Sequence, residues 1–307
     1  AFAAVIALHF FLQGGWTGAL IAAGQAGKLR VLDFQPTTSV VYTFWAGLVG
    51  GALFSMASHG TDHLIVQRLL ATRSLRDARV ALVGSGVVVF LQFLLFLLVG
   101  SAIWATKLMP DTIASDQIFP RFVISNLPAG LAGLVVAGIL AAAMSTHSSA
   151  INALASSLTH DLYAGWTGRK DPAHLLRVGR IFSAVWAVAL MLGALLFLAY
   201  DREGKTPVVV LALSVASIAY GGLLGAYLLA GRWARATSRG VIIGVTVSLA
   251  IMLVVFFARG LSDRFGIAWL AAVGRLAWPW YVPLGTLITV TVGLVASVGG
   301  NHADGQS

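Results

Sequence analysis

The sequence contains no cysteine and few charged residues. Charged side chains make up only 10% of its 307 residues, whereas hydrophobic side chains make up 58%. Because about a quarter of the residues of a soluble domain are charged, this composition excludes an ordinary soluble protein and predicts an integral membrane protein. The absence of cysteine also excludes disulfide bonds and thiolate metal sites.

Enzyme signatures are also scarce. The sequence has no HExxH, no GxSxG and no Walker loop, so none of the common hydrolase or nucleotide-binding motifs applies. The net charge of +9 does not indicate nucleic-acid binding, because the Lys and Arg residues lie between apolar segments. In that position they set membrane topology and contact lipid headgroups. The expected partner is therefore the lipid bilayer, and no nucleic acid.

Long apolar segments separated by short polar links predict transmembrane helices rather than barrel strands. We predict an all-α integral membrane protein with about eight spans in one transmembrane helical domain, residues 1–298, and a polar tail at 299–307. The fourth span exceeds the roughly 20 residues needed to cross the hydrocarbon, so we expect it to tilt or to extend into the cytoplasm. The predicted spans are about 2–26, 38–56, 80–106, 128–163, 176–200, 207–230, 240–257 and 281–298.

Basic residues in alternate loops predict the orientation of these spans. The loops after the second, fourth and sixth spans contain eleven Lys and Arg residues, and the other loops contain nine. By the positive-inside rule we place the first set in the cytoplasm of a multi-pass protein of the cell membrane. One of these loops carries Arg169, Lys170, Arg177 and Arg180. We expect the nearby Asp161 to cap its helix or to pair with this basic cluster.

A stripe of small and hydroxyl residues runs through the fourth predicted span. Its members recur every three or four residues, so on a helix they share one face. Such a face can pack closely against another helix. Alternatively, its oxygens can hold a cation. The members are Gly138, Ala142, Ser145, Ser149, Asn152 and Ser156.

The cation interpretation depends on three positions of this stripe. Ser145 and Thr146 are adjacent hydroxyl residues about one turn after Ala142, so two side-chain oxygens and one carbonyl can face the same point. A sodium ion needs about five or six hard oxygens, by analogy with other hard cations. Half of that shell fits here and half fits an unwound helix elsewhere. The spacing alone agrees equally well with a packing face.

Two other functions are compatible with the residues. His59 and His63 have the i, i+4 spacing of two metal ligands on a helix, and Asp62 lies between them. A membrane-embedded metal-dependent enzyme could use these three residues, although Asp62 is offset from the histidine face. A polar helix end at the interface explains the same residues. The remaining alternative is a non-transporting helical membrane protein whose serine stripe only joins helices.

Two stretches of the sequence resemble the sodium/solute symporter family. The first, GTDHLIVQRLLATRSLRDA at Gly60 to Ala78, is similar to the family's polar helix end, Q-R pair and basic loop. The second, at Leu127 to Tyr163, resembles the family's LPxGLxGL…MSSxxSxxN helix. A weaker similarity covers Ala219 to Gly231. The resemblance implies the leucine-transporter-like (LeuT-like) inverted-repeat fold.

The resemblance also implies which part of such a transporter is present. The chain begins at Ala1, inside an apolar segment and without Met, and its spans match the family from the fifth core helix onward. We therefore expect an N-terminally truncated chain that contains the last helix of the first inverted repeat, the second inverted repeat and two extra helices. In the family, an Ala carbonyl and two hydroxyls form half of a sodium site. These ligands fall on Ala142, Ser145 and Thr146, and the other half lies on a helix that this sequence lacks.

The function implied by the resemblance is sodium-coupled symport of a small organic solute by alternating access, and not enzymatic catalysis. The family's sixth core helix contributes substrate-facing or gating residues, and Ser55, Ser58 and His59 lie at the corresponding positions. The sugar-transporting branch has Asn and aromatic residues there. This difference argues against a sugar-type site and leaves the solute open.

Overall fold

The structure is a computed structural model that describes residues 2–12, 14–110, 113–200 and 206–300. Within these ranges the regular secondary structure is helical and contains no strand, as the composition predicts. The α-helices are α1 Phe2–Phe11, α2 Gly15–Gln25, α3 Ala52–Gly60, α4 His63–Leu70, α5 Leu75–Thr106, α6 Ser115–Asn126, α7 Ala129–Ser157, α8 Ala164–Thr167, α9 Pro172–Tyr200, α10 Val208–Arg232, α11 Ser238–Phe265, α12 Ala268–Val273 and α13 Tyr281–Gly300. Ala46–Gly51 and Leu158–Tyr163 are π-helical, and Trp278–Trp280 forms a 3₁₀ turn.

The chain divides into two compact units. The first unit comprises Ala1–Lys28 and Gln92–Pro207, and the second unit comprises Leu29–Leu91 and Val208–Ser307. The boundary falls within α5, which contributes residues 75–91 to the second unit and 92–106 to the first.

Six helices of the described residues are long and apolar enough to cross a membrane. They coincide with the third to eighth predicted spans, so a multi-pass membrane protein is confirmed, whereas a count of eight spans is not. The six candidate spans are Leu75–Thr106, Ala129–Thr167, Pro172–Leu196, Val208–Arg232, Ser238–Phe265 and Trp278–Val298.

The first two predicted spans are built from shorter helices: glycines interrupt the first, and the second begins with an irregular stretch. Gly14 and Gly15 have φ values of +78° and +66°, a left-handed conformation that ends α1 and restarts the chain as α2. Gln13, the residue before these glycines, lies outside the described residues. In the second segment residues 30–43 are irregular, and the helix begins in the π-helical stretch just before α3. The predicted polar tail lies outside the described residues from 301 onward.

The core of the first unit joins α1, α5 and α6 to the start of α7. Leu8, Ile103 and Phe122 are at most 1% exposed, and Leu127 is buried beside them just before α7 begins. The Phe122 ring meets the edge of the Phe11 ring at a centroid distance of 6.4 Å. Burial of these large apolar side chains fixes the point from which α7 starts.

The far end of α7 packs against α9. Thr159 is 1% exposed, and a Cβ added at Gly179 of α9 would lie 3.5 Å from its hydroxyl oxygen. Beyond it, the Tyr163 hydroxyl and His174 Nε2 form a hydrogen bond of 2.8 Å. The helical stretch Ala129–Thr167 has 39 residues and ends at Gly168, whose φ is +65°. At 1.5 Å per residue it is roughly 58 Å long, so the prediction of a helix longer than the hydrocarbon is confirmed.

The core of the second unit is a close contact of α10, α11 and α13. Glycines allow the backbones to touch: a Cβ at Gly221 would lie 2.9 Å from Gly285 Cα, and one at Gly244 would lie 2.5 Å from the Thr289 carbonyl oxygen. Hydroxyl groups then bond across the same contacts. Thr286 Oγ1 donates to Gly221 O at 3.2 Å, and Ser248 Oγ donates to Gly285 O at 2.9 Å. Small residues of this kind are what membrane helices use to associate.

Candidate functional site

The candidate cation ligands lie in the middle of α7, in the first unit. The backbone there is regular helix, so Ala142 and Thr146 are one turn apart and Ser145 lies beside them. All three residues are exposed. Thr146 Oγ1 donates a hydrogen bond of 3.0 Å to the Ala142 carbonyl oxygen. Ser145 Oγ makes no hydrogen bond within the part of the chain that the structure describes.

This donor set fits a hard cation. The Thr146 hydroxyl and the Ala142 carbonyl are both neutral oxygens, and their separation of 3.0 Å suits neighbouring ligands of an ion about 2.4 Å from each. The Thr146 hydroxyl donates this hydrogen bond and keeps its own lone pairs free for the ion. The Ala142 carbonyl accepts both this bond and the helical N–H of Thr146, so the hydroxyl must turn away before the carbonyl can bind the ion. With Ser145 Oγ the helix offers three oxygens, about half of a complete shell.

Burial on α7 falls beside the stripe and not on it. All six members of the stripe, from Gly138 to Ser156, are exposed. Ala155 and Thr159, which are 3% and 1% exposed, belong to a neighbouring face of the helical stretch that packs against α9. Packing within the first unit therefore does not account for the stripe or for the three candidate ligands.

The candidate gate residues lie at the end of α3, in the second unit. Ser58 Oγ donates to the Ser55 carbonyl at 3.2 Å, and His59 Nδ1 lies 2.9 Å from Ser58 Oγ and 3.0 Å from that same carbonyl. Ser58 is buried and His59 is partly buried, and both side chains form hydrogen bonds within the end of α3. Only Ser55 presents an exposed hydroxyl. The structure thus brings these three residues together in one cluster, within a different unit from the α7 oxygens.

Tyr220 of α10 is a residue of this region that the sequence did not reveal. Its hydroxyl donates a 3.1 Å hydrogen bond to Asp62 Oδ2, just beyond the end of α3. Its ring meets Phe54 edge-on at 5.3 Å, and Phe54 in turn meets Trp278 at 5.7 Å. These contacts hold the end of α3 against α10. A tyrosine hydroxyl within an otherwise apolar span was the available signal, since a buried hydroxyl needs a partner.

The proposed metal triad at the end of α3 gains no support from this geometry. Asp62 accepts the Tyr220 hydroxyl, and His59 Nδ1 is taken up by Ser55 and Ser58. The side chain of His63 lies outside what the structure describes. Among the described side chains, no group of three His, Asp or Glu residues is placed to hold a metal ion.

Comparison with known proteins agrees with the resemblance seen in the motifs. The sequence profile of the Sodium:solute symporter family matches residues 19–248. The chain is 25% identical over 297 residues to the sodium/sialic acid symporter NanT of Aliivibrio fischeri, covering 95% of this chain and 55% of that protein. It is 29% identical over 264 residues to the human sodium/iodide cotransporter, covering 81% of this chain and 39% of the relative. These proteins are transporters and not enzymes.

The fold has a counterpart among solved structures. A Na⁺-coupled sialic acid symporter, solved in a substrate-bound outward-open state, superposes with a TM-score of 0.74 at 21% sequence identity. The match covers 96% of this chain and 58% of that structure, and the chain spans about half the length of the curated relatives it matches. Because the family profile matches well over half of the chain, this protein belongs to the sodium:solute symporter family.

Proposed function

We propose that the protein containing this chain is a sodium-coupled symporter for a small organic solute, and that α7 supplies Ala142, Ser145 and Thr146 to the site of the coupling ion. The observation that carries the proposal is the exposed oxygen cluster on α7 within a chain of this family. The relatives named above couple solute movement to sodium.

The proposed ion site is half of a complete shell. Three oxygens from α7 leave two or three positions for a second element, as in transporters whose sites lie between a regular helix and a broken one. We propose that this chain corresponds to the second half of a LeuT-like transporter, from the fifth core helix onward. The motif similarities at Gly60 to Ala78 and Leu127 to Tyr163 support this proposal, and the chain covers 55% of one relative and 39% of another.

Sodium binding and solute binding are coupled when both favour the same conformation of the protein. A sodium ion bound partly by α7 and partly by another element favours the arrangement in which both half-shells meet, and the solute binds that arrangement better. We propose Ser55 as a residue that faces the solute pathway, because its hydroxyl is exposed, with Ser58 and His59 setting the shape of the helix end behind it. Sialic acid, a monocarboxylate and myo-inositol form a suitable test panel, because relatives are named for them.

The test is solute uptake into proteoliposomes that contain the intact protein, measured against sodium concentration. We expect uptake to require sodium and the double change Ser145→Ala with Thr146→Val to remove the sodium dependence. Thr146→Val alone should raise the half-activating sodium concentration about tenfold, because one oxygen ligand is lost. Thr146→Ser keeps the hydroxyl and should stay close to the unchanged protein.

Thr167 provides a matched control on the same helical stretch. Its hydroxyl donates to the Tyr163 carbonyl four residues earlier at 2.7 Å, the same local bond that Thr146 makes with Ala142. Thr167→Val should therefore leave the sodium response unchanged. Sodium-dependent uptake that survives the double change at Ser145 and Thr146 would overturn the proposed ion site. Uptake that is indifferent to sodium in the unchanged protein would overturn the proposed function.

A further inference from the structure

A groove of about 500 Å³ lies in the first unit, between the far end of α7 and the start of α9. Its basic and histidine lining residues are His160, Lys170 and Arg180, and no carboxylate lines it. The polar groups Asn152 and Ser156 also face it, and their side chains make no hydrogen bonds with the described residues. The groove therefore offers cations and unused hydrogen-bond donors, a combination that suits an anion.

The acidic residues nearest in sequence do not neutralise this groove. Asp161, which the sequence predicts to cap the helix or to pair with the basic cluster, instead accepts a 2.7 Å hydrogen bond from Ser157 Oγ. Asp171 accepts the backbone N–H of His174 at 2.9 Å and so caps the start of α9. Neither forms an ion pair with Lys170 or Arg180, and across the described residues the one salt bridge joins Arg30 and Asp33.

The location of the groove points to the membrane interface. It lies where the span Ala129–Thr167 ends and the span Pro172–Leu196 begins. Trp166, close to it in sequence, is 84% exposed. Tryptophan is enriched at the depth of the lipid headgroups, because its ring is apolar and its N–H is polar. The groove thus opens at the level where phosphate groups of lipids are found, on the side that the basic residues predict to be cytoplasmic.

We propose that this groove is a binding site for the phosphate headgroup of an anionic phospholipid. Lys170 and Arg180 pair with the phosphate, with Arg180 able to use two parallel N–H donors. Asn152 and Ser156 donate to the remaining oxygens, and the acyl chains extend along the apolar surface of α9, where Leu176 lines the groove. Basic pockets between transmembrane helices on the cytoplasmic side bind lipids by this chemistry.

The experiment is native mass spectrometry of the intact protein incubated with phosphatidylglycerol, phosphatidylcholine or inorganic phosphate. We expect one phosphatidylglycerol to be retained and phosphatidylcholine to be lost. Each basic residue near an anionic headgroup contributes about a fivefold gain in affinity, so Lys170→Gln with Arg180→Gln should weaken retention roughly 25-fold. The charge-preserving exchange of Lys170→Arg with Arg180→Lys should retain the lipid.

Arg177 is the matched control, because it lies on the same turn region of α9 but does not line the groove. Arg177→Gln removes one positive charge, as Lys170→Gln or Arg180→Gln alone would. If the site is specific, Arg177→Gln should weaken lipid retention less than about threefold. Melting temperatures of all variants should agree, since these side chains are exposed. If Arg177→Gln weakens lipid retention as much as Arg180→Gln alone, general surface charge explains the binding and the proposal is overturned.

Two other outcomes would also overturn it. Inorganic phosphate that binds while phosphatidylglycerol does not would identify a soluble anion as the ligand. Absence of phosphatidylglycerol retention in the unchanged protein would show that the groove does not bind this lipid. Retention of one phosphatidylglycerol that depends on Lys170 and Arg180, and not on Arg177, supports the proposed site.

Discussion

Changing Gly244 of α11 to alanine should loosen the three-helix core of the second unit. A Cβ at this position would lie 2.5 Å from the Thr289 carbonyl oxygen and 3.1 Å from Gly293 Cα, whereas ordinary contact begins at about 3.4 Å. Both neighbours are backbone atoms of α13, so no side chain can rotate away. The added methyl group can be accommodated only if α11 and α13 move apart.

Three contributions determine how much Gly244→Ala lowers the free energy of unfolding. Overpacking of a close contact costs about 1–3 kcal/mol. Separation of the helices by about half an ångström also lengthens the bond from Ser248 Oγ to Gly285 O, now 2.9 Å, which contributes about 0.6 kcal/mol between membrane helices. Replacing glycine by alanine within a helix returns up to about 1 kcal/mol. The net loss should be about 2 kcal/mol, which corresponds to roughly 4–8 °C in melting temperature.

Thermal unfolding of the purified protein in detergent, followed by tryptophan fluorescence, measures this loss. Gly260 on the same helix is the control, because a Cβ there meets nothing within 4 Å. Gly260→Ala should leave the melting temperature unchanged or raise it slightly. Equal melting temperatures for the two alanine variants would refute the close backbone contact between α11 and α13.

Two further predictions concern hydroxyl groups of the second unit. Thr286→Val should lower the melting temperature by a few degrees, because it removes the hydrogen bond to the Gly221 carbonyl. Thr289→Val should leave the melting temperature unchanged or raise it, because Thr289 Oγ1 is buried without a hydrogen-bond partner. A larger loss for Thr289→Val than for Thr286→Val would contradict this assignment. Tyr220→Phe keeps the ring contact with Phe54 but removes the hydrogen bond to Asp62. It should lower the free energy of unfolding by about 1 kcal/mol in the same assay. Phe54→Leu, which removes the ring contact instead, serves as the comparison.

Local patterns in the sequence predicted the long helices well. Continuous apolar runs such as 80–106 and 207–230 correspond to α5 and α10, because length and hydropathy alone decide whether a helix can cross a bilayer. The first two predicted spans show the limit of this reasoning. Apolar composition continues through Gly14 and Gly15, but their left-handed backbone breaks the helix there.

Contacts between distant helices were harder to foresee. The bond between Asp62 and Tyr220 joins residues 158 positions apart, and nothing in the local pattern of either segment specifies the other. The glycine contacts of α13 are easier to predict, because they correspond to a pattern in the sequence. Gly285, Thr289 and Gly293 recur every four residues and predict a packing face, although which helix meets that face depends on the tertiary arrangement.

The same periodicity therefore has different consequences on α7 and α13. On α13 every fourth residue is in backbone contact with α10 or α11, Thr286 donates to the Gly221 carbonyl of α10, and the Thr289 hydroxyl is buried in the contact. On α7 the hydroxyl of Thr146 bonds only within its own helix and remains exposed. A packing stripe buries its oxygens between helices, whereas a ligand stripe must leave them accessible. Accessibility of the oxygens, rather than their spacing, is therefore the physical property that separates a candidate ion site from a helix contact.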